Sequence, residues 1–126
     1  MDKSIVNTTK APAPIGPYNQ AVMVGNMLFI SGQICIDPAN GQLNNADIQA
    51  ETHQVMHNLK AILEEAALGF RNVVKTSIFI TDMGRFSDVN EVYGKYFDDH
   101  FPARETVQVA ALPRLVNVEI SMIAVR

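Results

Sequence analysis

Asp47-Ile48-Gln49-Ala50-Glu51-Thr52-His53-Gln54-Val55-Met56-His57-Asn58-Leu59-Lys60-Ala61-Ile62-Leu63-Glu64-Glu65-Ala66-Ala67-Leu68-Gly69 is followed, three residues later, by Val73-Val74-Lys75-Thr76-Ser77-Ile78-Phe79-Ile80-Thr81. In the first segment Ile48, Val55, Leu59, Ile62, Leu63 and Ala66 recur with a period of 3.6, which predicts a helix with one apolar stripe. Asp47 is placed to cap its start and Gly69 to stop it. The second segment is rich in Val, Ile, Phe and Thr and predicts a strand.

Working outward, Ala21–Val24 and Met27–Ile36 read as strands around Gly25-Asn26, a two-residue hairpin signal. Asp37-Pro38-Ala39-Asn40-Gly41 reads as a turn. Residues 10–19 hold Pro12, Pro14, Gly16 and Pro17, which excludes a helix or central strand and leaves an ordered loop or extended arm. On the other side, Phe86, Val89, Tyr93 and Phe97 predict a second helix over 86–97. Residues 104–111 and 115–125 read as two alternating strands of a C-terminal hairpin joined around Leu112-Pro113-Arg114. The expected order is β-β-α-β-α-β-β. Helices with one apolar stripe each belong on one face of one sheet, an α+β layer sandwich. Leu28-Phe29-Ile30 and Ile78-Phe79-Ile80 are apolar on both faces, so the second face calls for cover by another subunit.

The chain has 126 residues, which predicts a single domain over 1–126. Ten Lys and Arg against thirteen Asp and Glu leave a net charge of −3, and the basic residues are scattered. That argues against a nucleic-acid partner. Cys35 is the single cysteine and fits a reducing compartment. The first residues carry no apolar stretch of signal-peptide length, and no run approaches the ~18 apolar residues of a membrane span. A cytoplasmic protein without membrane contact is expected.

Few side chains invite chemistry. There is no glycine-rich phosphate loop, no Gly-x-Ser-x-Gly elbow and no paired-cysteine metal site. His53 and His57 have metal-ligand spacing but fall opposite the apolar stripe, beside Lys60 and Glu64, as on a solvated face. His100 suits the end of a helix. Cys35 has no neighbouring base in sequence and reads as a small core group. More informative is 115–125: Val116, Val118, Ile120, Met122 and Ala124 form an apolar face, and the alternate face carries Asn117, Glu119 and Ser121. A carboxylate at mid-strand is costly to bury unless paired or used. Arg104, aimed by Pro102, offers a fork for carboxylates. A structural Arg104–Glu119 ion pair is one reading of the two, and a substrate site is the other.

Pro102-Ala103-Arg104, Leu112-Pro113 and Val118-Glu119-Ile120 resemble the signature of the RidA (YjgF-like) family of imine/enamine deaminases. So do Ala13-Pro14-Ile15-Gly16-Pro17-Tyr18, Ser31-Gly32-Gln33 and Asp88-Val89-Asn90 with Tyr93. The resemblance covers nearly the whole chain. It implies a chorismate-mutase-like α+β fold, a homotrimer with clefts between subunits, and no cofactor or metal. The implied activity is that of a 2-iminobutanoate/2-iminopropanoate deaminase, hydrolysing 2-aminoacrylate, 2-aminocrotonate and related 2-imino acids to 2-keto acids and ammonia. By the same resemblance Arg104 clamps the substrate carboxylate, Glu119 activates water, Tyr18 lines the cleft, and Ser31, Asn90 and Thr106 contact substrate. Thr106 stands where the deaminases often carry cysteine, Glu105 where a small residue is common, and the loop before Pro102 is shorter. Alternative functions are a non-catalytic small-molecule-binding or chaperone-like module and an endoribonuclease or translation inhibitor.

Overall fold

In the computed structural model, which describes residues 2–126, eight regular elements follow one another. They are β1 (Lys3–Val6), β2 (Ala21–Val24), β3 (Met27–Gln33), α1 (Ile48–Glu65), β4 (Val73–Ile80), α2 (Phe86–Gly94), β5 (Ala103–Gln108) and β6 (Val118–Val125). The strands form one sheet of order β1-β2-β3-β6-β4-β5. All neighbours are antiparallel except β4 and β5, which run parallel. The expected α+β architecture, one mixed sheet with two helices on one face, is present.

The helices cover the face that carries Leu28 and Ile30 of β3, Thr76, Ile78 and Ile80 of β4, and Val118, Ile120, Met122 and Ala124 of β6, all buried. From α1 come Val55, Met56, Leu59, Ile62 and Leu63, each fully buried. Side chains of this size contribute about 1.5–3 kcal/mol apiece on burial, so this layer holds the molecule together. The Asp47 carboxylate accepts from Ala50 N, as expected of an N-cap. One turn on, Glu51 is completely buried. Its carboxylate accepts from Asn117 N (2.7 Å), Asn117 Nδ2 (2.9 Å) and Val118 N (2.9 Å), tying the helix to the start of β6.

Several expectations are corrected. Residues 104–111 and 115–125 do not form a hairpin: β4 lies between β5 and β6. β6 is buried on one face and half-buried on the other, which suits a central strand, whereas the mostly exposed β5 is an edge. An additional edge strand, β1, pairs with β2; it is short and almost wholly exposed, so it carries no apolar pattern. β3 ends at Gln33, three residues early, and Ile36 makes only an isolated bridge to Leu43. Helix α1 stops at Glu65, not at Gly69. Ala67 takes φ 60°, and Ala67 N and Leu68 N donate to the carbonyls of Glu64 and Leu63. Helix α2 ends at Gly94, so His100 caps nothing; its ring lies 2.9 Å from Asp99 on the surface.

The opposite face of the sheet is open in the single chain. Phe29 is 42% exposed and Val107 41%, and they share that face with Val22, Ile123, Ser121 and an ion pair of Lys75 with Glu105 (3.0 Å). Glu105 also accepts from Ser77 Oγ. Glu105 thus points away from Arg104, as strand alternation requires. Among the described residues no helix is long and apolar enough to cross a membrane.

Candidate active site

Strand register decides where the two charged candidates go. Arg104 pairs with Thr76, whose other neighbour is Met122, and Glu119 pairs with Phe79. Arg104 therefore shares the helix-covered face with Thr76, and Glu119 lies on the open face. Two strands across and three residues along place their Cα atoms about 14 Å apart. The Arg104–Glu119 ion pair does not exist. Within one chain the candidate residues form two groups.

The first group surrounds a cavity of about 380 Å³ at the irregularity between β3 and β6, where pairing shifts between Ile30 and Gln33. Tyr18, Ser31 and Glu119 line it, with Ile15, Gly32 and Pro113 among the other walls. Gly32 lies directly over the carboxylate. A Cβ at this position would sit 2.5 Å from Glu119 Oε2, so any larger residue would force the carboxylate to move. Glu119 has no ion-pair partner among the described residues, and burial pushes its pKa above the ordinary carboxylate value.

The proline-rich loop that brings Tyr18 here is ordered from within. Gln20, 2% exposed, donates from Nε2 to the carbonyls of Thr8 (3.0 Å), Ala11 (3.3 Å) and Pro12 (2.8 Å), and its Oε1 accepts from Thr8 N (2.6 Å). Ser31 Oγ donates to Asn19 O at 2.6 Å. Ser31 therefore anchors the tyrosine loop as well as lining the cavity.

The second group gathers on α2 and β5. Arg104 Nη1 donates to Asn90 Oδ1 at 2.7 Å, and its guanidinium carbon lies 5.4 Å from the centre of the Phe86 ring and 5.2 Å from that of Tyr93. Tyr93 and Phe101 complete a shallow opening with Asn90, Gly94, Pro102 and Arg104. No carboxylate stands within ion-pair distance of Arg104 among the described residues. Thr106, two residues on and on the same face, has a buried hydroxyl without a hydrogen-bond partner. A charge held only by neutral groups, with unused donors beside it, is the arrangement of an anion receptor.

The remaining candidates belong to the framework. Cys35 is fully buried, and burial followed by the Glu51 charge pushes its thiol to about 11, which leaves no thiolate for nucleophilic chemistry. His57 is exposed, as expected of a solvated face, whereas His53 is half-buried: its Nδ1 lies 2.8 Å from Tyr96 Oη, and both imidazoles pack on the Tyr96 ring. Sequence reasoning missed Gln20, Glu51 and the part Phe86 plays beside Arg104.

Comparisons with known proteins agree with this fold. A family model described as "Endoribonuclease L-PSP" matches residues 8–126. The 2-iminobutanoate/2-iminopropanoate deaminase of Mus musculus is 49% identical over 98% of this chain and 92% of its own length. The crystal structure of E. coli TdcF with bound serine superposes with a TM-score of 0.93 at 44% identity, covering 98% of each chain. RidA from the Antarctic bacterium Psychrobacter sp. PAMC 21119 gives 0.94 at 42% identity, covering 98% of this chain and 99% of its own. With the cavity, the arginine and the fold in place beside these similarities, the chain belongs to the RidA (YjgF-like) family.

Proposed function

We propose that this protein hydrolyses 2-imino acids and their enamine tautomers to 2-keto acids and ammonia. The observation that carries the reading is Arg104, a guanidinium fixed by neutral partners and left without a counter-ion. Such a group binds the α-carboxylate that every 2-imino acid carries. The relative that binds serine takes a ligand with the same carboxylate.

Because Arg104 and Glu119 occupy opposite faces of one sheet, the working cleft forms between copies. Arg104, Asn90 and Thr106 of one protomer meet Tyr18, Ser31 and Glu119 of the next. The open face, with Phe29 and Val107 exposed, is closed by assembly into a homotrimer.

The reaction asks little of the protein beyond orientation, a water and a proton carrier. An enamine first takes a proton on its β-carbon and becomes an iminium. Water adds to the electrophilic C2, its oxygen forming the new C–O bond while one proton passes to Glu119. The resulting carbinolamine regains that proton on nitrogen. The C–N bond then breaks, ammonia leaves, and the hydroxyl gives up its proton as the keto group forms. A carboxyl whose pKa burial has raised exchanges protons closer to neutrality than an exposed one. Nothing in this sequence requires a redox partner.

The test generates 2-aminoacrylate or 2-aminocrotonate in situ with a serine or threonine dehydratase and follows keto-acid release with and without the protein. Faster release, with an RNA substrate left intact in parallel, is the expected result. No acceleration, or cleavage of the RNA, would replace this reading with the binding-module or endoribonuclease alternative.

A further inference from the structure

Phe86, Asn90 and Tyr93 fall at i, i+4 and i+7 of α2, so they share one face of the helix. That face meets Arg104. Asn90 occupies one guanidinium nitrogen, and the two rings lie within cation–π range of its carbon. The Tyr93 ring is itself fixed: its hydroxyl donates to Thr76 Oγ1 at 3.0 Å, and it packs on Phe97 at 4.8 Å between centroids. Thr76 is the cross-strand partner of Arg104. The contacts therefore close a circuit, from Arg104 across the sheet to Thr76, up to Tyr93, and back to the guanidinium. Phe86 holds the other end from the first turn of the helix.

We propose that Phe86 and Tyr93 are positioning residues, which hold the Arg104 fork in its carboxylate-binding geometry before any ligand arrives. The proposal rests on the reading of Arg104 as the carboxylate clamp. A free arginine side chain is rich in rotamers and would lose that freedom on binding, whereas one already held loses less. The ring faces also hold the guanidinium without neutralising it, so its charge remains available to the ligand. A contact of this kind acts equally on bound substrate and on the transition state. Removing it should therefore raise KM and leave kcat nearly unchanged.

Phe86→Leu keeps the apolar bulk and removes the π face, and Phe86→Tyr restores the ring. Pyruvate binding by calorimetry and the dehydratase-coupled assay are read on both, with Phe86→Met as a second ring-less variant should leucine fail to fold. Expected for Phe86→Leu is a loss of pyruvate affinity and a rise in KM of about fivefold, the order of an exposed to partly desolvated cation–π contact. Its kcat should stay within about twofold, and Phe86→Tyr should return both constants to wild type. Unchanged pyruvate affinity in the ring-less variants, or a loss that Phe86→Tyr does not restore, overturns the proposal. Arg104→Ala separates the two levels. If it loses pyruvate binding and Phe86→Leu does not, only the positioning role falls. If Arg104→Ala itself binds pyruvate normally, the clamp reading falls and this proposal with it.

Discussion

Glu119 combines two properties that pull against each other. Within the single chain its burial raises the carboxyl pKa and no cation of the described residues pairs with it, so the folded chain binds this proton more tightly than the unfolded one does. The stability linked to it is then fully present below the ordinary carboxylate value and is lost as pH rises through the raised, folded-state value. Glu119→Gln should accordingly melt higher than wild type at pH 7, with the difference closing below about pH 4 in thermal scans. The same change removes the proton carrier. Turnover in the dehydratase-coupled assay should fall at least tenfold, a conservative floor under the ~10²–10⁴-fold usual for general acid–base groups, while calorimetric affinity for pyruvate is kept. Unchanged kcat would reduce Glu119 to a wall of the cavity. Gly32 gives an independent check. Gly32→Ala drives a methyl into the Glu119 carboxylate and should destabilise by about 1–3 kcal/mol in urea unfolding. In a Glu119→Ala background the same substitution should cost little, and additive effects in that cycle would mean the two positions are not in contact.

At the scale of elements, the end of α1 shows how local signals mislead. Gly69 is the residue a sequence reader picks as the stop, yet the chain reverses two residues earlier, at Ala67, in a left-handed conformation that favours glycine. Ala67→Gly should stabilise the protein by about 1 kcal/mol, the approximate penalty of a Cβ in that region, measured as a higher urea midpoint at unchanged m. Helix positions and the faces of strands were legible because period and parity are local properties. The neighbours of each strand were not. Alternation says which way Val118 and Ile120 point, but nothing in 104–111 or 115–125 states that β4 inserts between them. A signal did exist in the composition: Arg104-Glu105-Thr106-Val107-Gln108 is too polar for a central strand, while 118–125 is apolar enough for one. The site divides in the same way. Arg104 and Glu119 stand out as charges among apolar residues, and family motifs point to Tyr18, Ser31 and Asn90. Phe86 looks like any core aromatic until the fold brings Arg104 to it, and Gln20 and Glu51 find partners that lie far away in sequence or in irregular backbone.

For the whole molecule, the open sheet face predicts assembly. Sedimentation equilibrium at micromolar concentration should return about three times the 13.9 kDa chain mass, and Phe29→Asp, which places a charge in the middle of that face, should shift the result towards the monomer. A wild-type mass of one chain would remove both the trimer and the shared cleft. The sheet that separates Arg104 from Glu119 also has a genetic meaning. In the proposed trimer each protomer would lend its arginine to one neighbour and its glutamate to the other, so Arg104→Ala and Glu119→Gln would damage different halves of every cleft. Two preparations that are each impaired, when unfolded and refolded together, would rebuild about a quarter of their clefts from an intact arginine and an intact glutamate in a random ring of three. Two impaired alleles of this chain would thus complement one another in a single cell, while an allele that spoils both halves would be rescued by neither.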